Sequence, residues 1–516
     1  MAAERTILTR RRGWALLAAA CGALYGEVGE VQIVERVQIL IQDSRLSEAD
    51  QELRQAIRSY PRSGGLYNLL GIVAAEQQNT KEAEAAFLRA VTYEPGLLPA
   101  LLNLARIEYV AGKREAAIEY YARALRLDNH IEEAHGNLAA LFVEKGDYVE
   151  AERELAALPA AGREQNRFYA LASAALAGTG KVDEARQSIS KMTGAVTGQD
   201  VTIAATALAK LGRYDLVIRL LDPVAEAASA KELRALLAGA YAESGDLPQA
   251  RRVWESLAED QPKDIGPLVE AARAAYRQKD YEGSAGYLMR AIQIEPQNAD
   301  AQFFLGVVCI NLNLPGDALR ALREAVRLKP GNAAFQFAMG AASLSAEGAT
   351  SAARYFQRYV ALRPADVHGH LALGVAEFEN GDFAAARREL VPLTGNPGLA
   401  AGAHFILGKM YRREDDLSNA GRHFEAAVHA DPSNAMLRAH LAGVYIRQNR
   451  LTEAKKELER ALARDPSNYL ANENLLLLLV RQKDPGAKEQ QQRFAGLTQK
   501  ASDDQALLFR HIELRR

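Results

Sequence analysis

The sequence predicts an all-α protein built from many copies of one helical unit, and three observations carry this prediction. The first is composition, because 48% of the residues are hydrophobic but only 7% are aromatic, which suits thin, closely packed helices. The second is length, because 516 residues exceed what one globular domain usually contains. The third is a period of 34 residues that shows in three separate ladders.

The first ladder is made of proline, which recurs in steps of 34 or 68 residues within each of two blocks. Its members are Pro61 and Pro95, and then Pro262, Pro296, Pro330, Pro364, Pro432 and Pro466. Two ladders of small residues keep the same step. One includes Ala83, Ala117, Ala318, Ala352, Ala386, Ala420 and Ala454, and the other includes Gly71, Ala105, Gly306, Gly340, Gly374 and Gly408. Because proline interrupts a helix, each proline predicts the end of one unit.

Within a unit, the spacing of apolar residues predicts two amphipathic helices. In the segment 401–432, Gly408 and Tyr411 share one helical face, and Ala420 and Phe424 share another. The small residue of the first helix is expected to let the two backbones approach closely. Glycines between the two helices, such as Gly146, predict the turn.

This pattern resembles the tetratricopeptide repeat, which has a small residue in its first helix, an alanine, an aromatic or leucine and an alanine in its second, and a closing proline. The segments 70–95, 305–330 and 407–432 carry nearly every position of that pattern. About thirteen units fit between residues 30 and 468. The resemblance implies a right-handed superhelical solenoid of about thirteen helix-turn-helix repeats.

The ladders divide the chain into five segments. We expect a signal peptide or a basic, apolar N-terminal segment over 1–26, an N-terminal repeat array over 27–158, degenerate units over 159–230, a C-terminal array over 231–468, and a capping helix with a polar tail over 469–516. The degenerate units are interpreted either as an irregular junction that bends or divides the array, or as simple decay of the repeat.

The N-terminus carries the pattern of an export signal. Three arginines at 10–12 precede an apolar run from Trp14 to Tyr25 that is too short to span a bilayer. Cys21 follows three alanines, so a lipid anchor and membrane association through it are also considered. The expected location is periplasmic, secreted or envelope-associated. A cytoplasmic location is the alternative if the segment is an ordinary basic helix.

The charge balance and the spacing of candidate motifs argue against several other functions. The 63 Lys and Arg balance 65 Asp and Glu, so nucleic-acid binding is not expected. Residues 178–181 lack the earlier glycine of a phosphate loop, and His130 and His135 are five residues apart, which does not suit a zinc site on a helix. His370 and His404 occupy equivalent places in successive units, where packing is favoured over metal binding. We therefore predict no enzyme, no cofactor, no metal and no small-molecule substrate.

The family resemblance implies that the first helices line a concave groove that binds proteins or peptides. Some family members clamp a C-terminal carboxylate with lysine, asparagine and arginine. The corresponding places here hold Leu102, Arg106, Asn137, Arg167 and Leu171. Two of the expected basic groups are thus leucines, so a chaperone adaptor is not predicted, although the two arginines could hold an acidic peptide.

Two further sets of residues are candidates for the groove. Asn103 and Asn137 lie one period apart and resemble the start of the asparagine ladder in the repeat arm of protein O-glycosyltransferases. Phe303, Phe337 and Phe405 fall on one place in three units and predict an apolar stripe, with helix packing as the alternative.

The function favoured by these patterns is a non-enzymatic scaffold in bacterial envelope assembly, secretion or polymer export. One alternative is an arm that presents substrates to a separately encoded glycosyltransferase or protease. The other is a cytoplasmic adaptor.

Overall fold

The computed structural model describes residues 28–159, 164–194, 197–224 and 230–498, and their regular secondary structure is helical. The proposed export signal and Cys21 lie outside the described residues. The chain divides into two compact units, each of which contains several repeats. Unit 1 extends to Gln278, and unit 2 begins at Lys279. That boundary lies outside 159–230, and the role of this segment as a hinge stays a prediction.

The helices of unit 1 follow one another with short connections. They are α1 Val28–Gln42, α2 Leu46–Ser59, α3 Gly64–Glu76, α4 Thr80–Tyr93, α5 Leu98–Val110, α6 Arg114–Leu127, α7 Glu132–Lys145, α8 Tyr148–Ala157, α9 Asn166–Gly178, α10 Val182–Ser190, α11 Gln199–Lys210, α12 Tyr214–Leu221, α13 Lys231–Ser244, α14 Leu247–Asp260 and α15 Gly266–Arg277.

Unit 2 continues the same alternation. Its helices are α16 Tyr281–Ile294, α17 Ala299–Asn311, α18 Pro315–Leu328, α19 Ala333–Ala346, α20 Ala349–Leu362, α21 Val367–Glu379, α22 Phe383–Leu390, α23 Ala400–Arg413, α24 Leu417–Ala430, α25 Ala435–Arg447, α26 Leu451–Arg464, α27 Tyr469–Gln482 and α28 487–498. Odd-numbered helices are the first and even-numbered helices the second of each repeat. Among the described residues, helices α1 to α14 form seven such pairs in unit 1 and helices α17 to α26 form five in unit 2, so the helical repeat architecture predicted from the sequence is confirmed.

Four second helices are shorter than the rest. Helices α8, α10, α12 and α22 have 10, 9, 8 and 8 residues, whereas α4 and most other second helices have 14. A proline lies close behind three of them, at Pro159, Pro223 and Pro392. Leu158, the residue before Pro159, has an extended backbone with φ of −59° and ψ of 141°, so α8 ends there. After α12 and α22 the chain instead continues as short 3₁₀ helices, Asp222–Val224 and Val391–Gly395, which contain the proline. Three of the four lie within or beside 159–230, where the repeat pattern weakens.

The small residue of the first helix sits against the large residue of the second. A Cβ atom added to Gly71 would lie 2.5 Å from the Phe87 ring, and one added to Gly408 would lie 2.8 Å from the Phe424 ring. Both rings are fully buried. The close approach predicted from the small-residue ladder is therefore confirmed.

Turns between paired helices use the left-handed region of backbone conformation. Gly146, with φ of 88°, ends α7 as the turn glycines predict. Gln78 and Asp415 take the same conformation without being glycine, with φ of 62° and 63°. Sequence glycines therefore mark only some of the turns.

A polar side chain in the first turn of several odd helices holds the loop that precedes it. The bonded carbonyl oxygen lies six residues earlier, in His135 to Asn129 (3.0 Å), Gln336 to Pro330 (2.8 Å), His370 to Pro364 (3.0 Å), Arg438 to Pro432 (2.7 Å) and Asn472 to Pro466 (3.1 Å). We call these contacts the junction bonds. They satisfy loop carbonyls that the helices leave unpaired.

The charged or ionisable members of this set also contact a carboxylate on the following helix. His135 Nδ1 lies 2.7 Å from Glu154, and His370 and Arg438 contact Glu389 and Glu457 in the same way. Each of these side chains thus joins a loop, an odd helix and an even helix.

We predict that Gly71→Ala destabilises the protein by about 1–3 kcal/mol, because the added methyl group must displace the Phe87 ring in a close-packed contact. The matched control is Gly239→Ala in α13, where nothing lies within 4 Å of an added Cβ. That change should stabilise by about 0.5–1 kcal/mol through helix propensity. Urea unfolding followed by circular dichroism measures both, and equal effects would contradict the close-contact interpretation.

We predict that His370→Gln destabilises more in acid than in base. The hydrogen bond to Glu389, and then the Pro364 carbonyl, raise the pKa of His370 above its ordinary value of 6.5. The stabilisation is therefore complete below the unfolded pKa and is lost as pH rises through the folded pKa. Glutamine keeps the carbonyl bond, as Gln336 does, but carries no charge.

The expected loss for His370→Gln is about 1 kcal/mol at about pH 5.5 and close to zero at about pH 8.5. Urea midpoints at the two pH values measure it. His368→Gln is the control, because the His368 side chain is 72% exposed on the same helix. A pH-independent loss at residue 370 would show that packing, rather than charge, carries the contact.

Candidate functional site

The odd-numbered helices form the inner face of each unit. Successive odd helices contact one another, as in α3 with α5 and α25 with α27. Stacked repeats use an extended surface of this kind for binding. The groove residues predicted from the sequence all belong to odd helices.

The two candidate asparagines of unit 1 bond to other side chains. Asn103 is completely buried, and its amide donates to Oδ1 of Asn68 at 3.0 Å. Asn137 is half-buried and donates to the hydroxyl of Tyr121 at 2.9 Å. Both asparagines are thus hydrogen-bonded to other side chains of unit 1.

The two candidate arginines of unit 1 form ion pairs. Arg106 pairs with Glu133 at 2.5 Å and is 16% exposed. Arg167 pairs with Asp200 at 2.8 Å and lies over the Phe168 ring, 4.7 Å from its centroid. Both guanidinium charges are therefore balanced before any partner arrives.

Side chains of odd helices in unit 1 also contact one another across several repeats. The Tyr109 hydroxyl accepts a 2.8 Å hydrogen bond from Gln199 and donates to Glu144 at 3.2 Å. Burial, and then the negative charge of Glu144, raise the pKa of Tyr109. Val143 of α7 and Val201 of α11 belong to one buried apolar cluster. The space between α5 and α11 is thus occupied by the protein's own side chains.

The three candidate phenylalanines of unit 2 are half-buried and pack against neighbouring rings. Phe303 stacks on Phe335 with centroids 4.7 Å apart. Phe337 meets the edge of Phe356 at 5.4 Å, and Phe405 lies 6.0 Å from Phe424. Helix packing therefore accounts for one side of each ring, and a binding role for the exposed part stays a prediction.

Exposed aliphatic side chains accompany these rings on the odd helices. Ile310 is 44% exposed, Met436 is 43% exposed, and Leu477 and Val480 are 52% and 57% exposed. The odd helices of unit 2 therefore carry exposed apolar side chains from α17 to α27.

Four basic residues on α23 and α25 form a group that the sequence analysis did not identify. We call Lys409, Arg412, Arg413 and Arg447 the cationic cluster. Arg412 is half-buried, and its Nη1 donates to Nδ1 of His440 at 3.2 Å. No carboxylate among the described residues forms an ion pair with Arg412. Burial, and then the charges of Arg447 and Arg413, lower the pKa of Arg412.

The other members of the cationic cluster share two carboxylates. Lys409 and Arg413 both approach Glu379, at 3.3 and 3.4 Å, and Arg447 pairs with Asp415 at 2.5 Å. Four cationic groups thus have two anionic partners.

Aromatic rings support the same cations. Lys409 Nζ lies 4.9 Å from the centroid of Phe378 and 5.7 Å from that of Phe405. The Arg413 guanidinium lies 4.3 Å from the Phe378 centroid. These cation–π contacts hold the Lys409 ammonium beside Phe378 and Phe405, and the Arg413 guanidinium beside Phe378.

Histidines next to the cationic cluster are neutral near pH 7. Burial, and then the charges of Arg412 and Lys409, lower the pKa of His440 to about 4. His404 and His423 face each other with Nδ1 atoms 2.9 Å apart, and burial lowers the pKa of both. These imidazoles therefore add no positive charge to the cluster.

One sequence signal could have identified this site. Lys409, Arg412 and Arg413 all occur in the second half of one first helix. The equivalent stretch of the preceding repeat, Val375 to Glu379, has no basic residue. Position alone does not reveal that Arg412 lacks an acidic partner, because that depends on which side chains the neighbouring repeats supply.

The described residues contain neither a metal-binding group of side chains nor a membrane-spanning helix. Over the described ranges, the structure brings together no group of three side chains suited to hold a metal ion. His370 instead makes a junction bond. In the same ranges, no helix is both long enough and apolar enough to cross a membrane.

Comparison with solved structures finds several similar proteins at low identity. The hetero-tetramer Cut9–Hcn1 of the APC/C is 14% identical over 87% of this chain and 96% of that chain, with a TM-score of 0.36. Yeast Tom70 is 16% identical over 81% and 95%, with a TM-score of 0.37. A tetratricopeptide repeat protein from Parabacteroides merdae is 14% identical over 48% and 98%, with a TM-score of 0.39. No curated protein matches the sequence.

Family models give a direct assignment. One tetratricopeptide repeat model matches residues 34–96, 269–333, 310–367, 337–391 and 371–435. A second matches residues 109–175 and 411–472. Together they cover most of the helix pairs described above, and repeats of this kind imply a scaffold for protein–protein interaction. The chain belongs to the tetratricopeptide repeat family.

Proposed function

We propose that this protein is a non-enzymatic scaffold of the bacterial envelope that binds segments of other proteins on the inner face of unit 2. The observation that carries the proposal is the character of that face, which combines half-buried rings, exposed aliphatic chains and cations in excess of their acidic partners. Mixed apolar and charged surfaces of this kind are typical of peptide-binding grooves.

Unit 1 supports the choice of unit 2 by contrast. Its candidate arginines are paired with Glu133 and Asp200, and Asn103 is buried. A partner that used these groups would first have to break the bonds between them, which lowers the net gain from binding.

The envelope location is supported by the sequence of the N-terminal segment. The arginines at 10–12 and the apolar run from Trp14 to Tyr25 have the order of a signal peptide. Assembly, secretion and polymer export are processes in which an exported scaffold gathers protein partners. Recovery of a glycosyltransferase or protease as the main partner would instead favour a substrate-presenting arm.

We predict cleavage of the full chain close to residues 20–26 when it is expressed in a bacterial host. Fractionation followed by mass spectrometry of the N-terminus measures this. Recovery from the periplasm or membrane with a new N-terminus is the expected result. Recovery of an uncleaved chain from the cytosol would contradict the envelope part of the proposal and favour a cytoplasmic adaptor.

We also predict that the double variant Ile310→Ser, Met436→Ser captures about tenfold less partner protein from native cells, because it removes exposed apolar surface from the inner face. The matched control is Met289→Ser, Leu362→Ser, which removes similarly exposed side chains from even helices. Quantitative mass spectrometry of the captured proteins measures both. Equal losses in the two variants, or no loss in either, would contradict binding at this face.

A further inference from the structure

The starting observation is a cation without a counterion. Arg412 is half-buried, and the hydrogen-bond partner of its guanidinium among the described residues is the neutral His440. The positive charges of Arg447 and Arg413 act on it. A partly desolvated charge that is repelled by like charges raises the free energy of the unbound protein. An anion placed beside Arg412 would remove that cost, so the site is set up for a negatively charged ligand.

The amount of uncompensated charge indicates what kind of anion fits. The cationic cluster has four positive groups and two carboxylate partners, Glu379 and Asp415, which leaves an excess of two positive charges. The Asp415 side chain is 80% exposed, so its pairing with Arg447 is weak and exchangeable. Two or more carboxylates close together match this excess better than one terminal carboxylate does.

The cations are also held in place before binding. Lys409 and Arg413 rest on the Phe378 ring, and the Arg412 guanidinium is fixed by His440. Fixed donors lose less side-chain entropy when a ligand arrives. Arginine in such a position can form paired hydrogen bonds with a carboxylate.

The cationic cluster adjoins Phe405, one of the three candidate phenylalanines. Phe405 contacts Lys409 on one side and the His440 ring, 5.0 Å away, on the other. A ligand on the cluster therefore lies beside apolar surface, which suits a polypeptide that carries both acidic and apolar side chains.

We propose that the cationic cluster is the docking site for an acidic segment of a partner protein, with an aspartate or glutamate carboxylate of that segment on Arg412. This inference rests on the proposed function of the inner face of unit 2 and names the chemistry of the partner.

The first test is the binding of three fluorescein-labelled peptides to the full chain, measured by fluorescence anisotropy. One peptide alternates glutamate and leucine and has an amidated C-terminus. The second replaces glutamate by glutamine, and the third is this glutamine peptide with a free C-terminal carboxylate. The glutamate peptide is expected to bind at least about tenfold more tightly than both others and to weaken between about 50 mM and about 300 mM salt. Equal binding of the second and first peptides, or tight binding of the third, would overturn the proposal.

The second test uses Arg412→Gln. The glutamate peptide should bind this variant about tenfold more weakly, whereas Arg412→Lys should recover part of the loss and Arg358→Gln, on the exposed surface of α20, should have no effect. Removing a repelled charge should leave the urea midpoint unchanged or raised. A fall in the midpoint together with lost binding in both the glutamine and lysine variants would assign Arg412 a structural role and overturn the proposal.

Other occupants give distinct results. Asp503 and Asp504 of the same chain could supply the carboxylates. The double variant Asp503→Asn, Asp504→Asn would then bind the glutamate peptide about tenfold more tightly than the native chain. That result would make the protein's own tail, rather than a partner segment, the occupant of the site.

A second copy of the chain is another possible occupant. Dimers of the native chain that the Arg412→Gln substitution dissociates, as measured by analytical ultracentrifugation, would point to it. If Arg412→Gln captures the native partners as well as the unchanged chain does, the acidic-segment proposal fails and the scaffold proposal stands. In that case the Ile310→Ser, Met436→Ser variant still loses its partners while Arg412→Gln keeps them. This combination distinguishes failure of the acidic-segment proposal from failure of the scaffold proposal.

Discussion

The contact between a small residue of each first helix and a large residue of each second helix is the constraint on which the rest of this structure depends. At Gly71 and Gly408 the space for a side chain is already filled by Phe87 and Phe424. The two helices of a repeat can therefore approach closely, and one side of each pair is buried against the next repeat. The inner face, with its rings and its cations, exists because this contact orients every odd helix in the same way.

Much of this fold could be predicted from the sequence, because few residue types are compatible with such a contact. The small-residue and proline ladders therefore gave the period and the number of helix pairs. The candidate site was less predictable, because the repeat leaves inner-face positions free to vary. Nothing in the pattern states that Arg106 faces Glu133, that Asn103 is buried, or that Arg412 lacks an acidic partner among the described residues. Each of these facts depends on a side chain supplied by another helix.

The two units show two outcomes for the same kind of surface. In unit 1, polar groups on odd helices bond to one another, as Arg167 does with Asp200 and Tyr109 with Glu144. In unit 2, apolar side chains and cations share the inner face, and Arg412 has no acidic partner among the described residues. A paired charge is stabilised in the folded chain, whereas a cation without an acidic partner leaves free energy available for binding. Under the proposed function, one repeat architecture serves structural roles in one stretch and recognition in another.

The hydrogen bond between Tyr109 and Gln199 joins residues that are 90 positions apart in the sequence. Most contacts in a repeat array link only adjacent repeats, so a load applied along such an array is resisted one interface at a time. Where a bond bridges several repeats, those repeats must yield together. The stretch from α5 to α11 would therefore act as a stiff block under tension, while arrays linked only through neighbouring repeats extend step by step.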